Sequence, residues 1–180
     1  MTRHGMHRRR AGQYVGEQLV RLALLIAVAC SATGWTTSGA IALDTARWVD
    51  VSGDPDAVWK ELGDFCAIET WHPMVKACSA VEVDGKLTRT LTLADGATQV
   101  ERLVDWNDRA RTYTYRLVEG GASVVDLQAT LAVRRHDGGS RIVWSGSYAP
   151  ANGVATGKAW GAVRAFYDAG LKALAERHKT

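Results

Sequence analysis

From Leu87 to Tyr148 the apolar side chains recur at every second position, which is the period of a strand covered on one side only. Leu87, Leu91 and Leu93 share a face with Arg89, against Thr88, Thr90 and Thr92 on the other. Tyr113, Tyr115 and Leu117 oppose Thr112, Thr114 and Arg116. Leu127, Ala129, Leu131 and Val133 oppose Asp126, Gln128, Thr130 and Arg134, and Ile142, Trp144, Gly146 and Tyr148 oppose Val143, Ser145 and Ser147. Short turn signals separate these runs: Asp84-Gly85, Asp95-Gly96, Asn107-Asp108, Gly120-Gly121 and Asp137-Gly138-Gly139. With an opening strand at Arg47–Val51, the pattern predicts seven antiparallel strands in meander order, one face wet and one covered.

The cover is legible at the end of the chain. Trp160, Val163, Tyr167, Leu171 and Leu174 recur at helical spacing, the stripe of an amphipathic helix long enough to lie across a sheet. A shorter helix is expected after Asp54-Pro55, a cap followed by proline at the first helical position, with Val58, Trp59, Leu62 and Phe65 on one side. Ile68 to Val75, which contains Trp71-His72-Pro73, reads as a second helical turn or an ordered loop, because proline disfavours helix in the residue before it. The elements add up to a two-layer α+β domain.

The first 42 residues read differently. Arg3, Arg8, Arg9 and Arg10 form a basic start, Leu19 to Ala32 is an apolar run whose one charge is Arg21, and Ala40-Ile41-Ala42 offers an A-x-A cleavage site before Leu43. This is the pattern of a signal peptide, and its uninterrupted apolar part is far shorter than the roughly 20 residues of a membrane-spanning helix. The expectation is export to the periplasm or beyond, with residues 43–180 as one mature domain. Lipid attachment at Cys30 is the alternative, and the twin arginines raise a twin-arginine route.

Removing the leader changes the charge argument. Its five arginines and one glutamate carry +4, so the overall +3 becomes −1 for residues 43–180. A near-neutral domain with interspersed charges gives no support for nucleic-acid binding or an anionic membrane surface. In an oxidising compartment Cys66 and Cys78 could close a disulfide, the alternative being two buried thiols. No spacing resembles a metal site, a phosphate-binding glycine loop or a nucleophile with its base, and no cofactor is expected.

Arg89 is the sharpest candidate for a site. It shares the covered face with leucines, and a buried unpaired charge is too costly to keep. Glu101 or a ligand carboxylate or carbonyl would neutralise it; the alternatives are a salt bridge at the pocket rim or an arginine at a strand end snorkelling to water. Strict alternation nevertheless turns Val100, Arg102, Val104 and Trp106 inward and Glu101 outward. His72 is a candidate acid or base, or a residue that fixes its local turn by hydrogen bonding. Tyr113, Tyr115, Trp144, Tyr148 and Trp160 read either as the lining of a cavity or as packed core. Trp71, Leu91, Leu127 and Tyr167 join them as candidate walls.

The order of strand, two short helices, six meandering strands and a long terminal helix resembles the helix-grip superfamily, which includes START domains, the birch-pollen-allergen fold and the polyketide cyclase and dehydratase group. Val58-Trp59, Trp71-His72-Pro73, Arg89-Thr90-Leu91-Thr92-Leu93 before Asp95-Gly96, Glu101-Arg102-Leu103 and Gly170-Leu171 carry the resemblance. It implies a seven-stranded curved sheet gripping the terminal helix around an apolar pocket.

Val75-Lys76-Ala77-Cys78-Ser79, Thr88-Arg89 and Glu101-Arg102-Leu103 are also similar to the plant abscisic-acid receptors at their pocket lysine, arginine and glutamate. That likeness implies Lys76, Arg89 and Glu101 as the pocket's polar end, with Glu101 inward, and a β-bulge would reconcile it with the alternation. Hormone perception is not implied. The receptors' gate residues are replaced by the bare turn Ala94 to Ala97, their latch is absent around Gly120-Gly121, and their polar cavity residues are replaced by Leu127 and Ala129.

The resulting expectation is a carrier of a small apolar or amphipathic molecule outside the cytoplasm. The enzymatic alternative is a cyclase or dehydratase, with Lys76 or Arg89 stabilising an enolate and Glu101 or His72 moving a proton. A third reading, implied by relatives that assist periplasmic oxidation, is an accessory protein docking on an exported partner.

Overall fold

A computed structural model of the chain describes residues 42–179; the expected leader up to residue 41, including Cys30, lies outside the described residues. The alternating segments form one curved antiparallel sheet of seven strands. β1 (Leu43–Val51) is followed after the short helices by β2 (Val75–Val83), β3 (Lys86–Leu93), β4 (Thr98–Asn107), β5 (Thr112–Glu119), β6 (Val124–His136) and β7 (Gly139–Pro150). Their spatial order, β1-β7-β6-β5-β4-β3-β2, brings the first strand against the last and leaves β1 and β2 at the edges. β1 begins at Leu43 rather than Arg47, because its extra residues continue the ladder on β7 as far as Tyr148.

Three helices complete the domain: α1 (Pro55–Leu62), α2 (Ile68–Trp71) and α3 (Thr156–Arg177). The Asp54 carboxylate accepts the Asp56 N–H at 2.9 Å and so caps α1, whose Val58, Trp59 and Leu62 are buried. Among the described residues no helix is long and apolar enough to cross a membrane. This arrangement is the helix-grip fold, with α3 laid across the concave face formed by Tyr113, Tyr115, Leu131, Ile142 and Trp144.

Leu87, at the start of β3, is exposed although the alternation places it on the covered face, and three further departures from the sequence pattern bear on the site. On α3 the buried stripe is Ala159, Val163, Tyr167, Gly170, Leu171 and Leu174. Trp160, expected in the wall, stands one residue off that stripe and is 42% exposed, with the Arg164 guanidinium 5.0 Å above its ring. On β2 the register slips between Val75 and Ala77, which makes Lys76 the unpaired residue of a bulge; it is exposed and does not reach the interior.

The third departure is β4, where the register slips twice against β5. Val100 pairs with Glu119 but Glu101 with Leu117, and Leu103 pairs with Tyr115 but Asp105 with Thr114. Each slip skips one residue, Val118 on β5 and Val104 on β4, and both are exposed. Glu101 therefore pairs with the inner-facing Leu117, and past the second bulge Trp106 pairs with the buried Tyr113. Alternation was right for Trp106 and wrong for Val100, Arg102 and Val104, since an odd residue inserted in one strand flips the facing of those beyond it.

His72 seats α3. Its Nδ1 accepts the Met74 N–H at 3.1 Å, so Nε2 carries the proton and donates to the Phe166 carbonyl on α3 at 3.0 Å. The ring stacks on Phe166, 4.0 Å between centroids. α3 can come this close because position 170 is glycine: a Cβ there would lie 2.6 Å from His72 Cδ2 and 2.9 Å from Trp71. Burial holds the His72 imidazole down to about 4. A disulfide between Cys66 and Cys78 ties the segment between α1 and α2 to β2, with 5.5 Å between Cα atoms.

Two predictions follow from these ties. His72 binds a proton more readily in the unfolded chain, near its ordinary 6.5, than in the fold, at about 4. Its contribution is therefore fully present above pH 6.5 and lost as the pH falls toward 4, at up to about 1.4 kcal/mol per pH unit. Urea unfolding from pH 7 to 4 should show His72→Gln less stable at pH 7 but flatter in pH, and identical slopes would contradict the assignment. The paired replacement Cys66→Ser/Cys78→Ser should lower the unfolding free energy by about 3 kcal/mol, the chain-entropy value for so short a loop; an unchanged urea midpoint would show that the bond constrains nothing.

Candidate functional site

The concave face is not filled along its whole length. At one end Trp59 and Trp106 close the interior, both indole N–H groups donating to Asp108 Oδ1 at 3.0 and 2.9 Å. At the other end a cavity of about 530 Å³ lies between the first half of α3, the β3–β4 turn and the β5–β6 turn. Leu93, Leu127, Val163 and Phe166 supply much of its apolar wall, and Gly120 to Val124 form its rim. The turn Ala94 to Ala97 at the opening is short, and Asp95 is its one side chain larger than a methyl group.

The cavity's inner end is polar and is built on one buried ion pair. Arg89 is fully buried; its Nε donates to Glu101 Oε2 at 2.7 Å, and Nη2 lies 2.6 Å from the same oxygen, at an angle too poor for a second hydrogen bond. Nη1 donates to the Phe65 carbonyl. The guanidinium plane is flanked by Phe65 and Tyr115, 4.1 and 4.9 Å from the ring centroids. Burial opposes the charge of Arg89, but the Glu101 carboxylate, with Tyr113 and Tyr115 beside it, more than offsets this and raises its affinity for the proton. The disulfide adjoins this site, because Cys66 follows the residue whose carbonyl receives Nη1.

Of the polar side chains that line the cavity, Glu101, Tyr115 and Tyr167 are the buried ones and mark its inner end. The Tyr115 hydroxyl accepts the Trp144 indole N–H at 3.0 Å. Tyr167 stacks on Trp144, 4.5 Å between centroids, and its buried hydroxyl has no hydrogen-bond partner among the described residues. The hydroxyl sits over Gly146 of β7, where a Cβ would lie 2.6 Å from it. Burial, and then the Glu101 charge, push the Tyr167 phenol well above its ordinary range, so it stays protonated.

Of the candidates read from the sequence, Glu101, Tyr115, Leu127 and Tyr167 line this cavity. Arg89 stands behind Glu101, buried but outside the lining. Trp71, Leu91, Tyr113, Trp144 and Tyr148 are packed core; Tyr148, for example, is hydrogen-bonded to Thr45 at 2.6 Å. Lys76 and Trp160 are on the surface, which corrects both expectations. His72 has both ring nitrogens engaged by backbone groups, the arrangement of a residue that fixes its local turn. Met74, Leu93, Gln99 and Phe166 line the cavity without having been singled out. Leu93 was legible as an inner-face residue, whereas Phe166 lies off the helical stripe and is turned to the cavity by its stacking on His72.

Comparison with known proteins agrees with this architecture. A family model described as polyketide cyclase / dehydrase and lipid transport matches residues 43–179. No curated protein matches the chain. Among solved structures, the protein XoxI from Bacillus cereus is 30% identical over 75% of this chain and 94% of its own, with a TM-score of 0.70. An uncharacterised protein from Bacillus thuringiensis is 30% identical over 76% of this chain and 98% of its own, with a TM-score of 0.69. The Zhui aromatase/cyclase from Streptomyces is 17% identical over 77% and 94%, with a TM-score of 0.64, a likeness of fold alone. With the family model spanning the whole described domain, the chain belongs to the polyketide cyclase / dehydrase and lipid transport family.

Proposed function

We propose that this domain binds a small, largely apolar molecule in the cavity beneath α3 and carries it outside the cytoplasm. The observation that supports this most is the cavity itself: about 530 Å³ of space with mostly apolar walls, open between two short turns, in a core otherwise well filled by aromatic rings. Space of this kind is what a carrier needs. A ligand burying about 300 Å² of apolar surface would gain roughly 7 kcal/mol, and the cost of association would leave micromolar-scale affinity. The family's description, which names both cyclases and lipid transport, is consistent with either a carrier or an enzyme.

The carrier reading is favoured by how the chemistry-bearing groups are engaged. Arg89 already spends its charge on Glu101 and the Phe65 carbonyl, and His72 spends both nitrogens on backbone groups. Neither is free to stabilise an enolate or move a proton without giving up a contact that holds the fold. Export is supported by the signal-like leader and by the Cys66–Cys78 disulfide, a bond that persists in oxidising compartments.

Ala162 offers a clean test, because it lines the cavity yet is exposed on α3 and outside the core. Ala162→Trp should fill the opening and weaken binding of the neutral dye Nile red by about tenfold or more, a loss of about 1.4 kcal/mol, with the melting temperature unchanged. Equal binding by both proteins would place the dye elsewhere, and no saturable binding by the unaltered protein would sink the proposal.

A further inference from the structure

The ligand's polar end can be read from the groups that await it, granted the carrier reading above. Among the described residues that line the cavity there is no lysine, arginine or histidine. The one buried cation nearby, Arg89, is closed off behind Glu101, and Lys76, expected at this end, is exposed on a bulge. The cavity's two charged lining residues, Asp95 at the turn and Glu101 within, are both acidic.

The cavity lining therefore holds both an acceptor, Glu101, and tyrosine donors. Arg89 engages only Oε2 of Glu101, and among the described residues no hydrogen bond reaches the other carboxylate oxygen. The Tyr167 hydroxyl is buried, protonated and without a partner. The Tyr115 hydroxyl accepts from Trp144 and has no acceptor for its own proton among the described residues. An unmet buried hydroxyl is costly, so these groups favour a ligand that completes them.

The geometry points to a neutral ligand whose polar end is an alcohol or phenol hydroxyl, donating to Glu101 and accepting from a tyrosine, with carboxylates excluded. A hydroxyl both gives and takes a hydrogen bond and so can satisfy both partners at once. A carboxylate can only accept; it would meet the buried Glu101 as a like charge, where such repulsion is less screened than at the surface. This is the reverse of the specificity that a cavity with a free lysine and arginine would have.

Naphthalene, naphthol and naphthoate share one apolar body and differ only at this end. Titrated against the unaltered domain at pH 7, naphthol should bind at least about tenfold more tightly than naphthoate, with naphthalene between them. Tyr167→Phe should weaken naphthol several-fold, the worth of one buried hydrogen bond, and leave naphthalene unchanged. Glu101→Gln, which leaves the Arg89 charge without its carboxylate, should narrow or invert the preference over naphthoate. Naphthoate binding as tightly as naphthol would overturn this inference while the carrier reading stood. Failure of all three, together with Nile red, would remove the carrier reading and this inference with it.

Discussion

A guanidinium buried in an aromatic core is the constraint on which the rest of this domain is arranged. Arg89 lies on the leucine face of β3 with none of its surface exposed, and a lone charge there would cost several kcal/mol. The chain meets that cost with a carboxylate, a backbone carbonyl and two aromatic faces. Each has a structural consequence. Placing Glu101 inward requires irregular pairing between β4 and β5, and the bulge at Val104 then lets Trp106 return to the core. Holding the Phe65 carbonyl at Nη1 requires the α1–α2 segment to sit down on the sheet, where the disulfide to β2 keeps it.

The same pair determines what the cavity can offer. Because Glu101 is consumed on one oxygen and stands between Arg89 and the open space, the inner end presents an anion's edge and two tyrosine hydroxyls, not a cation. The opposite wall depends on how α3 is seated. His72 grips the Phe166 carbonyl, Gly170 allows the close approach, and Gly146 leaves room for the Tyr167 hydroxyl over β7. A methyl group added at either glycine would push α3 or its tyrosine out of place, so the cavity's shape is set by two absences of side chain as much as by the residues that line it.

Much of this was legible in the sequence, and the failures have physical causes. Period-two alternation and the helical stripe gave the strands and the inner face, because a sheet covered on one side enforces that period; the meander holds from β2 to β7, whereas β1 departs from it by pairing with β7 and not with β2. Arg89 could be singled out because a charge among leucines demands a partner. Strict alternation misplaced β4 because a bulge adds one residue without leaving a mark in the polarity pattern; only the resemblance pointed Glu101 inward. Lys76 was misplaced for a related reason, since it is itself the inserted residue of a bulge. Trp160 fits the spacing of the stripe but lies past its edge, where Ala159 packs and Trp160 turns out against Arg164. The division between cavity and filled core was not legible: Tyr113, Trp144 and Tyr148 have the same alternation as Tyr115 and Leu127, and only packing separates them.

The central claim, that Arg89 is neutralised by Glu101 within the protein and needs no ligand to do it, is tested most directly by a double-mutant cycle on folding. Urea unfolding of the unaltered domain, Arg89→Met, Glu101→Leu and the double variant, all free of ligand, gives the coupling between the two side chains. Each single replacement leaves a buried charge without its partner and should cost about 3–5 kcal/mol. The double variant, with both charges gone, should cost far less than the sum, a coupling of about 2 kcal/mol or more. Additive losses, within about 0.5 kcal/mol, would show that the two charges are stabilised separately and would contradict the account.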